Sequence, residues 1–213
     1  MMAAMSRDSY HHGDLKAVIL AQSADLVAQR GADGISLREL AREAGVSHAA
    51  PAHHFTDRRG LFTALSAQGW RLLAEALKGA RPDFVEAALA YVRFALDHPG
   101  HYAVMFDRSL VDPENPELLA AQEAAGAELA QGVGTLDDAR ADRDPEGAAL
   151  AAWSLVHGFS LLWLNKAIGV DDDPMQTAHR VAGMLFKSRQ RANHDRDSRK
   201  DNCSTGVGYR HDT

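Results

Sequence analysis

Ser36-Leu37-Arg38-Glu39-Leu40-Ala41-Arg42-Glu43-Ala44-Gly45-Val46-Ser47-His48-Ala49-Ala50-Pro51-Ala52-His53-His54-Phe55 reads as two short helices joined across a glycine turn. Ser36 and Glu39 form a capping box, in which the Ser36 oxygen accepts from the Glu39 backbone N–H and the Glu39 carboxylate reaches back. Gly45 permits the left-handed backbone that ends the first helix, and Ser47 is placed to cap the next. Pro51 is tolerated near a helix start and would be costly further in. Leu37, Leu40 and Ala41 face the preceding helix, Ala41 being small because the third helix crosses close by. Val46 and Phe55 anchor that third helix from below. The pattern predicts a helix-turn-helix over about residues 36–55. It leaves Ser47, His48, Ala49, Ala50 and His53 on an outward face that is short enough to enter a DNA major groove at its N-terminal end.

On either side the periodicity is helical. Leu15, Ile19 and Leu26, flanked by Val18 and Val27, predict a first helix from about Asp14 to Arg30, stopped at Gly31. Asp57 caps a fourth helix to about Lys78. Arg81-Pro82-Asp83 opens a helix to His98, and Pro99 opens another to about Val111. Residues 112–116 connect to a helix from Glu117 to Val133. Residues 134–144 read as a polar, mobile loop. Asp144-Pro145 and Asp173-Pro174 each set an acidic cap before a first-turn proline, which predicts helices to about Ile168 and about Ser188. Residues 189–213 lack periodicity and are expected to be a disordered tail. With no alternating Val/Ile/Thr runs, the expected fold is all-α. A three-helix N-terminal domain is joined to a larger helical domain, at about residues 13–73 and 74–188.

Composition narrows the function. The 213 residues carry a net charge of −6, yet residues 1–70 balance Arg7, Lys16, Arg30, Arg38, Arg42, Arg58 and Arg59 against equally many Asp and Glu. The acidic excess therefore lies beyond residue 70, and the first segment, rich in histidine, lacks the basic stripe of a non-specific DNA binder. Cys203 is the single cysteine, so there is no disulfide framework, which fits a cytoplasmic setting. Met1 to Asp14 lacks the apolar region of a secretory signal. Between Glu146 and Lys166 the chain is uncharged over nearly a bilayer span. His157, Ser154, Ser160 and Asn165 within it favour a buried soluble helix over a membrane segment. No nucleophile elbow, phosphate-cradling glycine loop or metal-ligand cluster is present, so neither an enzyme nor a cofactor or metal site is expected. Asp97, His98 and His101 are split by Pro99-Gly100 and lack a fourth ligand.

Tyr10-His11-His12-Gly13-Asp14-Leu15, Ser36-Leu37-Arg38-Glu39-Leu40-Ala41, Gly45-Val46-Ser47-His48-Ala49-Ala50-Pro51 and His54-Phe55 together resemble the N-terminal domain of the TetR family. The likeness covers about residues 10–73. Trp153 with His157-Gly158 is similar to a motif of one class of the family's ligand-binding domains. The resemblance implies a cytoplasmic homodimer that binds a near-palindromic double-stranded DNA operator and is released by a small-molecule effector. It places Ser47, His48, Ala49, Ala50 and His53 against bases or adjoining phosphates and Arg58 on phosphate, with Ser36 and Arg38 near the backbone. The sequence departs from the family pattern at Ala52, where Tyr is common, and at His53, where Trp, Tyr or Arg is common. Losing that Tyr removes a phosphate contact, while alanines still meet thymine methyls. A degenerate member that senses a ligand or protein partner without binding DNA is the alternative. His11 and His12 suit either a phosphate-contacting arm or a solvated lead-in.

Phe84, Tyr91, Phe94, Tyr102, Met105, Phe106, Trp153, His157 and Leu161 are the candidate lining of an effector pocket, with His157 a polar anchor. The helix from residue 146 to 168 is apolar over an arc wide enough to need two neighbours. Val156, Phe159 and Trp163 on it, with Val181 and Leu185 on the last helix, are the candidate dimer interface.

Overall fold

The computed structural model describes residues 8–43, 45–47, 50–168 and 172–185, the side chains of residues 8–14 and 50 excepted. The expectations for His11, His12, His48, Ala49, the Ala50 side chain and the tail at 189–213 lie outside the described residues. The described chain is all-α, in ten helices. α1 (Asp8–Arg30), α2 (Leu37–Glu43) and α3 (Ala50–Phe55) form the N-terminal unit. α4 (Arg58–Gly79) leaves it and runs into the rest of the fold beside α5 (Phe84–Asp97), α6 (Pro99–Met105) and α7 (Pro116–Val133). The chain continues through α8 (Ala139–Arg143) and α9 (Pro145–Leu164) to α10 (Pro174–Leu185).

Caps set most of these boundaries. Asp57, Asp83, Asn115 and Asp144 each accept from backbone N–H groups of the helix that follows. Four expectations are corrected. α1 begins at Asp8, about six residues earlier than its apolar stripe, because Gly13 is accommodated within the helix. α6 stops at Met105 rather than Val111: the Asp107 carboxylate accepts from the backbone N–H and the hydroxyl of Ser109, and this local bonding competes with the helix. The segment 134–144 is ordered in part as α8, and its Leu136 and Ala141 are buried beside Phe84, Val133 and Ala152. α9 is far from wholly buried, with 28% of its most apolar window inside the fold, although by length and composition it could cross a membrane.

Besides the small cluster around Phe84 and Leu136, two larger cores carry the described structure. Ile19, Leu26, Val27, Leu40, Phe55, Leu61, Phe62 and Leu65 pack together with Val104, Val111, Leu118 and Ala121, so the N-terminal core continues into α6 and α7. The expected boundary at 73/74 falls inside the uninterrupted α4. The second core joins the end of α4 to α5, α6, α9 and α10 through Leu73, Leu77, Val92, Phe94, Tyr102, Val156, Phe159 and Ala182.

His101 sits at the join, buried, with Nε2 3.1 Å from Gln68 Oε1. Burial, with His98 alongside, pushes its pKa down to about 4 against the opposing pull of Asp25. The folded value lies below the unfolded one, so protons favour the unfolded chain. The stability that His101 contributes is full above about pH 6.5 and is lost as pH falls toward 4. The urea midpoint of the native chain should therefore drop over that range, and a His101→Asn chain should show a shallower drop. Equal slopes would remove His101 as the cause.

Candidate functional site

The helix-turn-helix is assembled as the sequence pattern demands, with one exchange of partners. The Ser36 oxygen accepts from Glu39 N at 3.2 Å, but the Glu39 carboxylate turns away to Arg30 at 2.9 Å and to Arg42 at 3.9 Å. Half of the expected capping box is therefore replaced by an ion pair that ties α2 to the end of α1. Gly45 has φ +66, the left-handed region, where a side chain would be strained. Leu40, Ala41, Pro51 and Phe55 are buried, which turns the other side of α3 outward. Ser36, Arg38, Ser47, Ala52 and His53 are exposed. Ala52, the departure from the usual Tyr, thus belongs to the outward face as well. His54 is half-buried, with its ring 6.1 Å from Phe55.

Arg58 has a different placement from the expected phosphate clamp. Its Nε donates to the Ile35 carbonyl at 3.1 Å and Nη2 donates to the Ala32 carbonyl at 2.8 Å. The guanidinium also lies 4.7 Å from the Phe62 ring centroid. Two carbonyl oxygens of the α1–α2 turn thus hold the guanidinium, the Ala32 oxygen accepting from the Ile35 N–H as well. Arg59 behaves likewise on the opposite side: its Nε donates to Val111 O at 3.1 Å, while Thr63 Oγ1 accepts from Asp112 N at 2.8 Å. The first turn of α4 is thereby bonded both to the helix-turn-helix and to the connector after α6.

The second site is a cavity of about 210 Å³ between α4, α5, α7 and α9. Trp70, Leu73 and Leu77 line it from α4, Tyr91 from α5, Gln122, Ala125, Gly126 and Leu129 from α7, and Trp153 from α9. A separate small pocket of about 20 Å³, which shares Leu77, Tyr91 and Leu129 with the cavity, is lined further by Phe84, Ala88, Glu128, Ala152 and Val156. Behind the wall a polar network crosses the apolar core. Tyr102 Oη is 2.8 Å and Tyr91 Oη 3.1 Å from His157 Nδ1, and the Trp153 indole N–H donates to Tyr91 Oη at 3.3 Å. Burial holds the His157 pKa below its ordinary value and raises both tyrosines, Tyr102 to about 12. The network is uncharged at neutral pH. Phe106 packs edge-on against His157 at 4.3 Å and against Trp70 at 5.1 Å.

Of the expected pocket residues, the structure brings together Tyr91, Tyr102, Phe106, Trp153 and His157, with Phe84 in the small pocket. It places three elsewhere. Phe94 packs 5.3 Å from the His98 ring, Met105 packs against Gly69 of α4, and Leu161 is 40% exposed. Leu161 is rotated from Trp153 by about 80° around the helix, enough to face outward. Missing from the expectation were the α4 and α7 walls. The Trp70-Leu73-Leu77 stripe, three and four residues apart, was their signal in the sequence.

The expected interface residues are also redistributed. Val156 and Phe159 are buried within the chain against Ala178 and Ala182 of α10, so in the single chain they do not form part of its outward surface. Trp163, Val181 and Leu185 are half-buried. The outward apolar face consists instead of Leu150 (59% exposed), Leu161, Leu162 (48%) and Met184 (81%).

The helix-turn-helix segment, residues 19–65, matches the family described as bacterial regulatory proteins, tetR family. Residues 84–185 match a tetracyclin repressor-like C-terminal domain. No curated protein matches the chain. Among solved structures, a protein of unknown function from Rhodococcus sp. RHA1 is 32% identical, with a TM-score of 0.67 over 83% of this chain and 95% of that one. A tetR-family regulatory protein from Rhodococcus RHA1 shares 18% identity at a TM-score of 0.64, over 83% and 98%. PfmR, a TetR family transcriptional regulator from Thermus thermophilus, shares 19% at 0.59, over 89% and 100%. The last two likenesses concern the fold alone.

Proposed function

Because the chain belongs to the TetR family and is a DNA-binding transcriptional regulator, we propose that it works as a homodimeric, non-enzymatic cytoplasmic repressor released from its operator by a small apolar ligand. The observation that carries this reading is the course of α4. One helix begins under the recognition helix, where Arg58 and Arg59 bond both neighbours, and ends as the Trp70-Leu73-Leu77 wall of the cavity. A ligand that displaces that wall moves the base of the helix-turn-helix with it. By linkage, the ligand then binds the DNA-bound form less tightly by the same factor.

Two α3 helices enter successive major grooves only if two chains are held together. The Leu150, Leu161, Leu162 and Met184 face supports self-association through α9 and α10. A partner chain on that face also accounts for an apolar helix that is only partly covered, without invoking a membrane.

Exposed Ala52, in place of a larger donor, favours the second reading, a sensor that no longer uses DNA. Paired substitutions separate the two. Arg38→Ala and His53→Ala should each weaken operator binding about tenfold with an unchanged urea midpoint, as lost phosphate or base contacts do. Arg58→Ala should lower the urea midpoint by the equivalent of about 2 kcal/mol, the scale of charge-assisted hydrogen bonds lost near a core. Unaltered operator affinity in both Arg38→Ala and His53→Ala would favour the DNA-independent sensor.

A further inference from the structure

The cavity between α4, α5, α7 and α9 offers a guest almost nothing to hydrogen-bond. Three of its wall residues, Trp70, Tyr91 and Trp153, carry a polar atom on an aromatic side chain, and each such atom is hidden or already used. The Trp70 indole nitrogen is buried, so no surface of it is open to a guest. The Trp153 indole N–H donates to Tyr91 Oη, which also lies 3.1 Å from His157 Nδ1 in the network behind the wall. Leu73, Leu77, Ala125, Gly126 and Leu129 bring no polar side-chain atom. Gln122 completes the wall, and its amide is not among the buried polar atoms left without a partner.

Charge is missing as well. Among the described residues none that lines the cavity is a lysine, arginine, aspartate or glutamate, and Glu128 of the adjoining small pocket is paired with Arg81. A hydroxyl, amine or carboxylate carried into such a space gives up its water and gains no partner, which is unfavourable. A hydrocarbon loses nothing on entry and gains from the burial of its whole surface. Size sets the upper limit. At about 210 Å³ the cavity exceeds the roughly 150 Å³ apolar cavity that admits benzene, so it has room for one ring with short substituents.

We propose that the cavity is a hydrocarbon site, which takes an uncharged single-ring molecule with short alkyl or halogen substituents and holds it by burial and packing, without a hydrogen bond. This names the chemical class of the effector and rests on reading the cavity as the effector site. The class includes alkylbenzenes and halobenzenes and leaves out phenols, aromatic acids and amines.

The test is calorimetric titration of the full chain with toluene, phenol and benzoate, which share a ring and differ in the group attached to it. Toluene should bind, and phenol should bind at least about tenfold more weakly, the scale for burying a hydroxyl without a partner. Benzoate should bind more weakly still. Ala125 is buried on the cavity wall, so Ala125→Leu puts its added carbons into the space that toluene needs. It should remove most toluene binding while the melting temperature holds or rises, as cavity filling does. Leu129→Phe reads the same space if Ala125→Leu does not fold. Gln122→Leu should leave toluene affinity nearly unchanged. Phenol or benzoate binding as tightly as toluene, toluene affinity untouched by both filling substitutions, or no toluene binding each overturns the proposal. Phenol binding that Gln122→Leu abolishes while toluene binding survives overturns it too, because the site would then have a polar anchor. Operator DNA added to the same titration separates the two levels. A toluene preference that leaves DNA affinity unchanged supports the hydrocarbon site and overturns ligand-driven release.

Discussion

Gly100→Ala is expected to lower the stability of the protein by about 3 kcal/mol, the upper range for overpacking a close-packed contact. A β-carbon there would lie 1.9 Å from the Ala24 carbonyl oxygen and 2.7 Å from its carbon. Both are backbone atoms of α1, so no side chain can move aside. Relief requires α6 to back away from α1, and α6 carries Tyr102 of the cavity network and leads into the connector that bonds Arg59 and Thr63. The same substitution should therefore lower ligand affinity and operator affinity together, although residue 100 faces neither. Thermal unfolding with paired ligand and DNA titrations measures all three quantities. A melting temperature within a degree or two of the parent would mean that the α1–α6 contact is looser than 1.9 Å implies.

The second large effect concerns the α9–α10 face. Leu150→Glu combined with Leu162→Glu puts two carboxylates on a surface that is 59% and 48% exposed at those residues in the single chain. Neither side chain belongs to the chain's own core, so the monomer should keep its helix content and urea midpoint to within a small margin. If that face joins two copies, the variant sediments as a monomer at micromolar concentration. Each recognition helix then binds its half-site without help from the other, and operator affinity falls by roughly 10² to 10⁴, the range for loss of bivalent attachment. A variant that remains dimeric with intact operator binding would move the interface to another surface.

Much of this was legible in the sequence, because the signals were local. The glycine turn at Gly45, the Asp57, Asp83 and Asp144 caps and the apolar stripe of α1 each fix backbone geometry within a few residues. The failures share a different cause. Arg58 reads as a phosphate contact, and nothing local shows that the α1–α2 turn, more than twenty residues away in sequence, presents two carbonyls to it. The 134–144 segment reads as polar until Phe84 and Ala152 supply the apolar surface that Leu136 and Ala141 bury. Val156 and Phe159 read as interface because α9 alone does not reveal which part of its wide apolar arc α10 occupies. The cavity is visible in the sequence from its α5 and α9 side, whose aromatics stand out. Its α4 wall is marked in the sequence by the Trp70-Leu73-Leu77 stripe, whereas its α7 wall of Gln122, Ala125, Gly126 and Leu129 is revealed by the packing.

The central claim, that residues 36–55 bind DNA as part of a ligand-responsive repressor, is tested most directly by titrating fluorescent DNA from upstream of the protein's own coding region with the full-length chain. The account predicts saturable binding at moderate salt, two chains per site, and at least a roughly hundredfold preference over scrambled DNA, within the usual span of specific over non-specific binding. The logarithm of affinity should fall linearly with the logarithm of salt, as phosphate neutralisation requires. Binding that never saturates, or that scrambled DNA matches at every salt concentration, would contradict it.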